Sequence, residues 1–469
     1  MNKIKRFLNT TLVYFVGTVL SKLVSFVLLP IYTNKIPPTE YGSYDLALTL
    51  LNLIAPIAFF QIWDGMFRRS FDFEDKQQKY DVITNAHAAF GFGAVVYMIL
   101  LGALQFFCHF DNFGWVILYG FFFSLHYMYS FICRTFLRNK LIVMTGLVNT
   151  IVTAFLNIIL ITVFDMGVVS LYIAPTVGTI VQILIVEGVL KTFKHFRRNA
   201  INKNEIVRML KFSIPLCIAA LSYWLLSGFT KVIITGMLGT YENGLYAVAN
   251  KFGTIITLIV SIVQSAWNEM AYLMVGEKDR NQSYQICIDI MMKSVILGTA
   301  ALCIFVKWFY PFLIDAQYEK GFFIVPATIV GVMFNSIAGF LGTLFMAESN
   351  TKSIMKSTLF SAGINIVLCI LMTEIFGLYG ATCSLMISFF VLMIIRLIQG
   401  KKQYGVSFNM VSLILLLAVL GGAILEYYFV ENLLIDGVAL VIMIVIYIFT
   451  MKSYLQQIFH SLVRHKKKQ

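Results

Sequence analysis

Fourteen runs of apolar residues, each long enough to cross a bilayer, divide this chain almost from end to end. They lie at residues 10–33, 43–67, 82–108, 113–134, 141–164, 168–190, 212–238, 244–270, 286–314, 322–346, 354–376, 378–399, 407–429 and 434–452. A transmembrane helix needs roughly 20 apolar residues to cross the hydrocarbon layer. The expected fold is therefore an all-α integral membrane protein with about 14 transmembrane helices. The runs and their short connections use up the 469 residues and leave no room for a sizeable extramembrane domain. Composition agrees: 59% of residues are hydrophobic and 13% charged, against about 45–50% and about 25% in an ordinary soluble domain. A soluble globular enzyme, a disordered chain and a nucleic-acid-binding domain are excluded. The first run lacks a small-residue cleavage site and is expected to stay as a helix.

The net charge of +13 reads as topology rather than as a polyanion signal. On a fourteen-span ladder the loop cations collect on one side. They are Lys3, Lys5 and Arg6; Arg68, Arg69, Lys76 and Lys79; Arg134, Arg138 and Lys140; the central stretch from Lys191 to Lys211; Lys278 and Arg280; Lys352 and Lys356; Arg396, Lys401 and Lys402; and the tail from Lys452 onward. Only Lys35 and Lys320 fall on the other side. Basic loops stay in the cytoplasm, so both termini are expected there, and a different helix count would scramble the alternation.

The chain also repeats itself. Glu40-Tyr41-Gly42-Ser43-Tyr44 before span 2 resembles Glu242-Asn243-Gly244-Leu245-Tyr246 before span 8. Trp63-Asp64-Gly65-Met66 resembles Trp267-Asn268-Glu269-Met270, and Asn157 and Gly167 match Asn365 and Gly377. Six spans separate each pair, so the copies share one orientation. Parallel repeats are a transporter signature, with the substrate site at their interface. The expected organisation is two parallel six-helix lobes around a central cavity, with two extra C-terminal helices. Residues 1–200 hold spans 1–6, residues 201–403 hold spans 7–12, and residues 404–469 hold spans 13–14 and the basic tail.

Charges inside the spans are the candidate functional residues, because each costs about 2.5–3.5 kcal/mol at the bilayer centre on insertion scales. Lys22 lies about 18 Å from the outer end of span 1 at the helical rise, too deep to snorkel out. Lys231 and Lys251 lie about 10 Å from the outer ends of spans 7 and 8. These three lysines are the candidate cationic lining of a substrate cavity. Arg134, ending span 4 at the inner face, is a further candidate for an anionic headgroup, although positive-inside placement explains it equally well. Asp45 near the outer end of span 2 is placed to pair with one of the lysines. Asp64 and Glu269 occupy similar positions near the inner ends of spans 2 and 8, where they either neutralise neighbours such as Arg68 and Arg69 or bind a coupling ion. Asp45, Asp64 and Glu269 are thus the candidate ion-coupling carboxylates. Lys293 and Lys307, nearer the ends of span 9, read as snorkelling or structural.

Other chemistry is missing from the sequence. The seven cysteines have no metal-knuckle or redox spacing. No phosphate-binding Gly-rich loop with Lys-Ser/Thr and no His-Glu-x-x-His motif occurs. No catalytic residue, metal or cofactor is expected. Any energised step must draw on a proton or sodium gradient, the membrane potential, or the substrate gradient. Six prolines fall within spans and predict local bends.

Several of these residues carry a family resemblance. Leu29-Pro30-Ile31-Tyr32-Thr33 after Lys22, then Pro38-Thr39-Glu40-Tyr41-Gly42, then Gly244-Leu245-Tyr246-Ala247-Val248-Ala249-Asn250-Lys251, and Asn365 in span 11 resemble the Wzx-like polysaccharide-repeat-unit flippases. These flippases are part of the multidrug/oligosaccharidyl-lipid/polysaccharide (MOP) exporter superfamily. The resemblance covers essentially the whole chain. It implies alternating access and a substrate made of an oligosaccharide on an undecaprenyl-pyrophosphate carrier. That substrate moves from the inner to the outer leaflet of a bacterial cytoplasmic membrane, for O-antigen or capsule-type surface polysaccharide. It implies membrane lipids and polysaccharide assembly proteins as partners, with Lys22, Lys231 and Lys251 meeting the pyrophosphate. The sequence departs in one place. Where many relatives carry an Asp-Arg pair after Ser-Gly-Phe, this chain has Thr230-Lys231, which keeps the cation and drops the carboxylate.

Three alternatives remain open. A lipid II flippase of the same superfamily has the same cavity logic. A cation-coupled multidrug antiporter would favour deep acidic residues, and the deep charges here are basic. A membrane polysaccharide polymerase would need a large outer loop, and the outer connections here are short.

Overall fold

The computed structural model describes residues 24, 26–274, 280–348, 350–406 and 409–466, and all regular structure among them is helical. Two compact units divide the chain, Met1–Gly244 and Leu245–Gln469. The first holds α1 (Leu29–Lys35), α2 (Pro38–Ala58), α3 (Ile62–Ser70), α4 (Lys76–Cys108), α5 (Phe113–Thr135), α6 (Asn139–Thr162), α7 (Ser170–Leu190), α8 (Lys203–Ser227), α9 (Phe229–Leu238) and the start of α10 (Thr240–Leu273). The second holds the rest of α10, then α11 (Arg280–Leu313), a 3₁₀ stretch Ala316–Ile324, α12 (Val325–Ala347), α13 (Thr351–Tyr404), α14 (Met410–Phe429) and α15 (Leu433–Lys466).

Among the described residues, ten helical segments are long and apolar enough to cross a membrane, and α2 with α3 form an eleventh, bent by 49°. The protein is a multi-pass membrane protein. All but the first of the remaining expected spans are also accounted for. The 54-residue α13 contains two of them, joined at Gly377, whose backbone is non-helical (φ 58°, ψ −140°). The fourteenth run corresponds to a shorter apolar helix, Leu434–Thr450. The first run lies almost wholly outside the described residues. Loops assigned to one side of the membrane meet one another. Lys35 pairs with Asp165, Arg197 with Asp81, and Arg280 with Glu348.

Lipid tails are as apolar as leucine, so packing and hydrogen bonds rather than escape from water hold such helices together. In the first unit, Phe59 stacks on Phe90 at 4.3 Å and meets Tyr97 at 5.4 Å. This contact sits at the break between α2 and α3. Pro56 brings no N–H to the helix, and Phe60 and Gln61 turn into the left-handed region (φ 54° and 44°). Such residues cost roughly 1–2 kcal/mol each. Gly93 of α4 lets the break pack close, since a Cβ there would stand 2.9 Å from the Ala58 carbonyl oxygen. The sequence indicates a proline bend in span 2; the structure puts a complete break four residues later, just before Trp63-Asp64.

In the second unit α12 is buried along almost its whole length. Trp267 stacks on its Phe340 at 4.6 Å and donates its indole N–H to the Phe340 carbonyl at 3.0 Å. The first unit has a counterpart, Trp63 stacked on Tyr127 of α5 at 5.6 Å. The repeat is therefore legible as local structure. Gly167 and Gly377 both adopt positive φ, 53° and 58°. Asn157 and Asn365 are both buried.

The repeated glycines Gly42 and Gly244 serve close approach. A Cβ at Gly42 would overlap the Thr240 carbonyl, and one at Gly244 would overlap the Pro38 carbonyl. Gly42→Ala and Gly244→Ala are each expected to destabilise the protein by about 1–3 kcal/mol through forced helix displacement. Gly102→Ala has open space around it and should be neutral. Thermal unfolding in detergent compares the three, and equal midpoints would contradict this packing role.

Candidate functional site

Two charged clusters lie in the first unit, one near each end of span 2. Pro38 opens α2 at a position where its fixed φ suits a helix start. The first two turns then carry Tyr41, Gly42 and Asp45. Trp224, near the end of α8, donates its indole N–H to the Thr49 carbonyl at 2.7 Å. That bond aligns the two helices one turn below Asp45. Gly228 then separates α8 from α9, and Lys231 falls in the first turn of α9. Its Nζ meets Asp45 Oδ1 at 2.8 Å. Asn243 donates to the Gly42 carbonyl at 2.8 Å and reaches Asp45 Oδ2 at 3.4 Å.

A cation at a helix N-terminus opposes the helix dipole, which adds to the need for a carboxylate partner. The two side chains are only 18% and 17% exposed. The carboxylate that the sequence drops beside Lys231 is thus supplied by another helix. Lys231 is committed to that pair.

The second cluster follows the break in span 2. Asp64 lies in the first turn of α3, where the helix dipole favours an anion. Arg134 lies in the last turn of α5, where it favours a cation. Arg134 is in electrostatic reach of Asp64. Its guanidinium sits over the Phe131 ring at 4.9 Å and is exposed. Neutralising Arg68 and Arg69, a task open to Asp64 from the sequence, falls to other carboxylates. Arg69 donates twice to Glu205, at 2.8 and 3.0 Å. Arg69 and Arg68 both donate to Asp72 and hold its carboxyl below the ordinary carboxylate range.

Lys251 is half-buried on α10 in the second unit. Lys22 and the Glu269 side chain lie outside the described residues. Sequence reasoning missed two features. Arg396, counted with the loop cations, is only 6% exposed. It donates to the Ala338 carbonyl at 2.5 Å and to Ser357 and Thr358 at 3.3 and 3.1 Å. Its position inside the run 378–399 was the available signal. The other is a cavity of about 460 Å³ in the first unit, lined by Glu40, Tyr44, Asp111, Asp165 and Tyr172 among others. Among the described residues no group of three or more His, Cys, Asp or Glu is placed to hold a metal.

Apolar spanning helices, one of them broken, define the class: a multi-pass membrane protein with the fold seen in transporters of the MOP superfamily. The inward-closed lipid II flippase MurJ superposes with a TM-score of 0.73 at 14% identity, over 95% of this chain and 99% of that one. An inward-facing multidrug resistance MATE family transporter of the MOP superfamily gives 0.68 at 14% identity, over 82% and 94%. The Vibrio cholerae MATE transporter VcmN in its bent form gives 0.51 at 13% identity, over 90% and 98%. No curated protein matches in sequence. Residues 7–267, more than half the chain, match the family described as polysaccharide biosynthesis protein, and the chain belongs to that family.

Removing one partner of a buried ion pair costs about 3–5 kcal/mol, and partial exposure reduces the loss here to about 1–3 kcal/mol. Lys231→Met should therefore destabilise the protein by that amount. The double variant Asp45→Asn/Lys231→Met should recover most of it in thermal unfolding. Neutral single variants would show that the pair is not a structural tie.

Proposed function

We propose that the protein is a flippase that moves an undecaprenyl-pyrophosphate-linked oligosaccharide from the inner to the outer leaflet by alternating access. Membership of the polysaccharide biosynthesis family supports a glycan substrate. The observation that carries the reading is coverage. The likeness to the lipid II flippase extends over 95% of the chain, too much to omit the two C-terminal helices. The likenesses to the two MATE transporters cover less of the chain, 82% and 90%.

The physical case is straightforward. A pyrophosphate cannot cross about 30 Å of hydrocarbon unaided, while its prenyl tail is at home in lipid. Arg134, Lys22 and Lys251 are the cations we assign to the pyrophosphate. Lys231 joins them only on leaving Asp45. We assign Asp64 and Glu269 as further carboxylates for coupling to a proton or sodium gradient. The proposal includes cytoplasmic termini, lobes of spans 1–6 and 7–12, and no enzymatic step. Lipid II is the second reading, favoured by the superposition on MurJ.

The test is reconstitution in liposomes, with translocation of a fluorescent lipid-linked oligosaccharide read by quencher accessibility. A hydrogen bond to a charged group contributes about 1.5–3 kcal/mol, so Arg134→Ala should slow movement about tenfold or more. Asp64→Asn should weaken the response to an imposed ion gradient. Export of cationic drugs with no movement of any lipid-linked saccharide would replace this reading with the antiporter.

A further inference from the structure

Lys307 of α11, Glu426 in the last turn of α14 and Asp436 in the first turn of α15 meet in the second unit. Their side chains are 12%, 11% and 3% exposed. Lys307 donates to Asp436 Oδ1 at 2.9 Å, to Glu426 Oε1 at 3.3 Å, and to the Glu426 and Val430 carbonyls. The Trp308 indole N–H takes the second Asp436 oxygen at 2.9 Å. Asp436 therefore has a donor on each oxygen. Glu426 does not: its Oε2 is buried and has no partner. Glu426 and Asp436 nevertheless lie within hydrogen-bonding reach of each other.

Two carboxylates face one ammonium in a site from which water is largely excluded. With both ionised, the site keeps an uncompensated negative charge and an orphaned oxygen, and both are costly. One proton on Glu426 Oε2 removes both defects at once, because the acid then donates to Asp436.

Among the described residues, the neighbouring groups offer Glu426 Oε2 no other donor. Cys303 of α11 is in electrostatic reach of Glu426, but a thiol is a weak donor. The Tyr427 and Tyr428 hydroxyls are committed to the Phe322 and Phe323 carbonyls, at 2.9 and 2.6 Å. Tyr379 and Cys383 of α13 face Tyr428 instead. Among the described residues, the charged groups acting on Glu426 are Lys307 and Asp436.

We propose that Glu426 and Asp436 share one proton, with Lys307–Asp436 as the ion pair and Glu426 as the neutral acid. The junction of α11, α14 and α15 is thus a proton-binding site that fastens the two C-terminal helices to the second unit. This inference stands independently of the flippase reading. The folded protein holds a proton that an unfolded glutamate, titrating near about 4.3, has already released. The contribution to stability therefore falls as pH rises.

Infrared spectroscopy and thermal unfolding of the full-length protein test the proposal. At neutral pH the wild type should show a carboxylic-acid C=O band that is missing from Glu426→Gln. The band should also be missing from Asp436→Asn, in which Glu426 becomes the sole ion partner of Lys307. From about pH 6 to about pH 9, the wild-type midpoint should fall by several degrees relative to either single variant. The double variant strands Lys307 and should unfold below both at every pH. An unchanged band in both variants would overturn the proposal, as would single variants with the wild-type pH slope. A wild-type midpoint that follows sodium concentration rather than pH would assign the site to a metal cation instead.

Discussion

A charge in hydrocarbon must be compensated by protein, and the two units are fastened internally by the ways in which this chain meets that demand. Asp45 and Lys231 tie α2 to α9 in the first unit. In the second, Arg396 ties α13 to α12 through a backbone carbonyl and two hydroxyls of its own helix. Lys307 ties α11 to the two C-terminal helices. Each tie costs desolvation that a leucine would not, so its net contribution to stability is small or even unfavourable. What it adds is register: an ion pair at 2.8 Å permits one axial and rotational setting of two otherwise greasy cylinders.

The duplication sharpens this point, because the copies agree in backbone and differ in chemistry. Gly167 and Gly377 both take positive φ, and Trp63 and Trp267 each lie on an aromatic ring of another helix. Yet Asp64 has Asn268 as its counterpart. Asn268 closes a neutral network in which Gln264 and Thr343 both donate to its side-chain oxygen, each at 2.8 Å. One copy of the motif thus carries a carboxylate beside an exposed arginine, and the other carries a satisfied amide. The proposed binding and coupling roles need not be spread evenly over the two copies.

Much of the fold was legible because membrane helices announce themselves by length and by loop charge. The run boundaries match the helices within a few residues at most ends. The failures have physical causes. Apolar content cannot see a break such as Phe60–Gln61, since left-handed backbone in non-glycine residues is imposed by tertiary packing around Phe59 and Gly93. Loop counting misplaced Arg396 because a cation near a helix end looks the same whether it faces water or a neighbouring helix. The pairing of Asp45 with Lys231 joins residues 186 apart in sequence. Depth arguments narrowed the partners to a few lysines, and only the fold selects one. The orphaned oxygen of Glu426 depends on three helices meeting and leaves no trace in the sequence.

These distinctions bear on which cations serve a pyrophosphate under the proposed function. Lys231 is neutralised by Asp45, so an incoming phosphate has to displace a carboxylate at close range before it gains any attraction. Arg134 is exposed, supported by an aromatic face, and only in electrostatic reach of Asp64. Its guanidinium presents a planar fork suited to phosphate oxygens, whereas an ammonium is a point charge. The nearby carboxylate weakens the binding of an anion, which a carrier needs, since a substrate held too firmly is not released. A cation paired loosely enough to exchange partners suits that task better than a bare one, and in the first unit Arg134 meets the description while Lys231 meets it only if its pair opens.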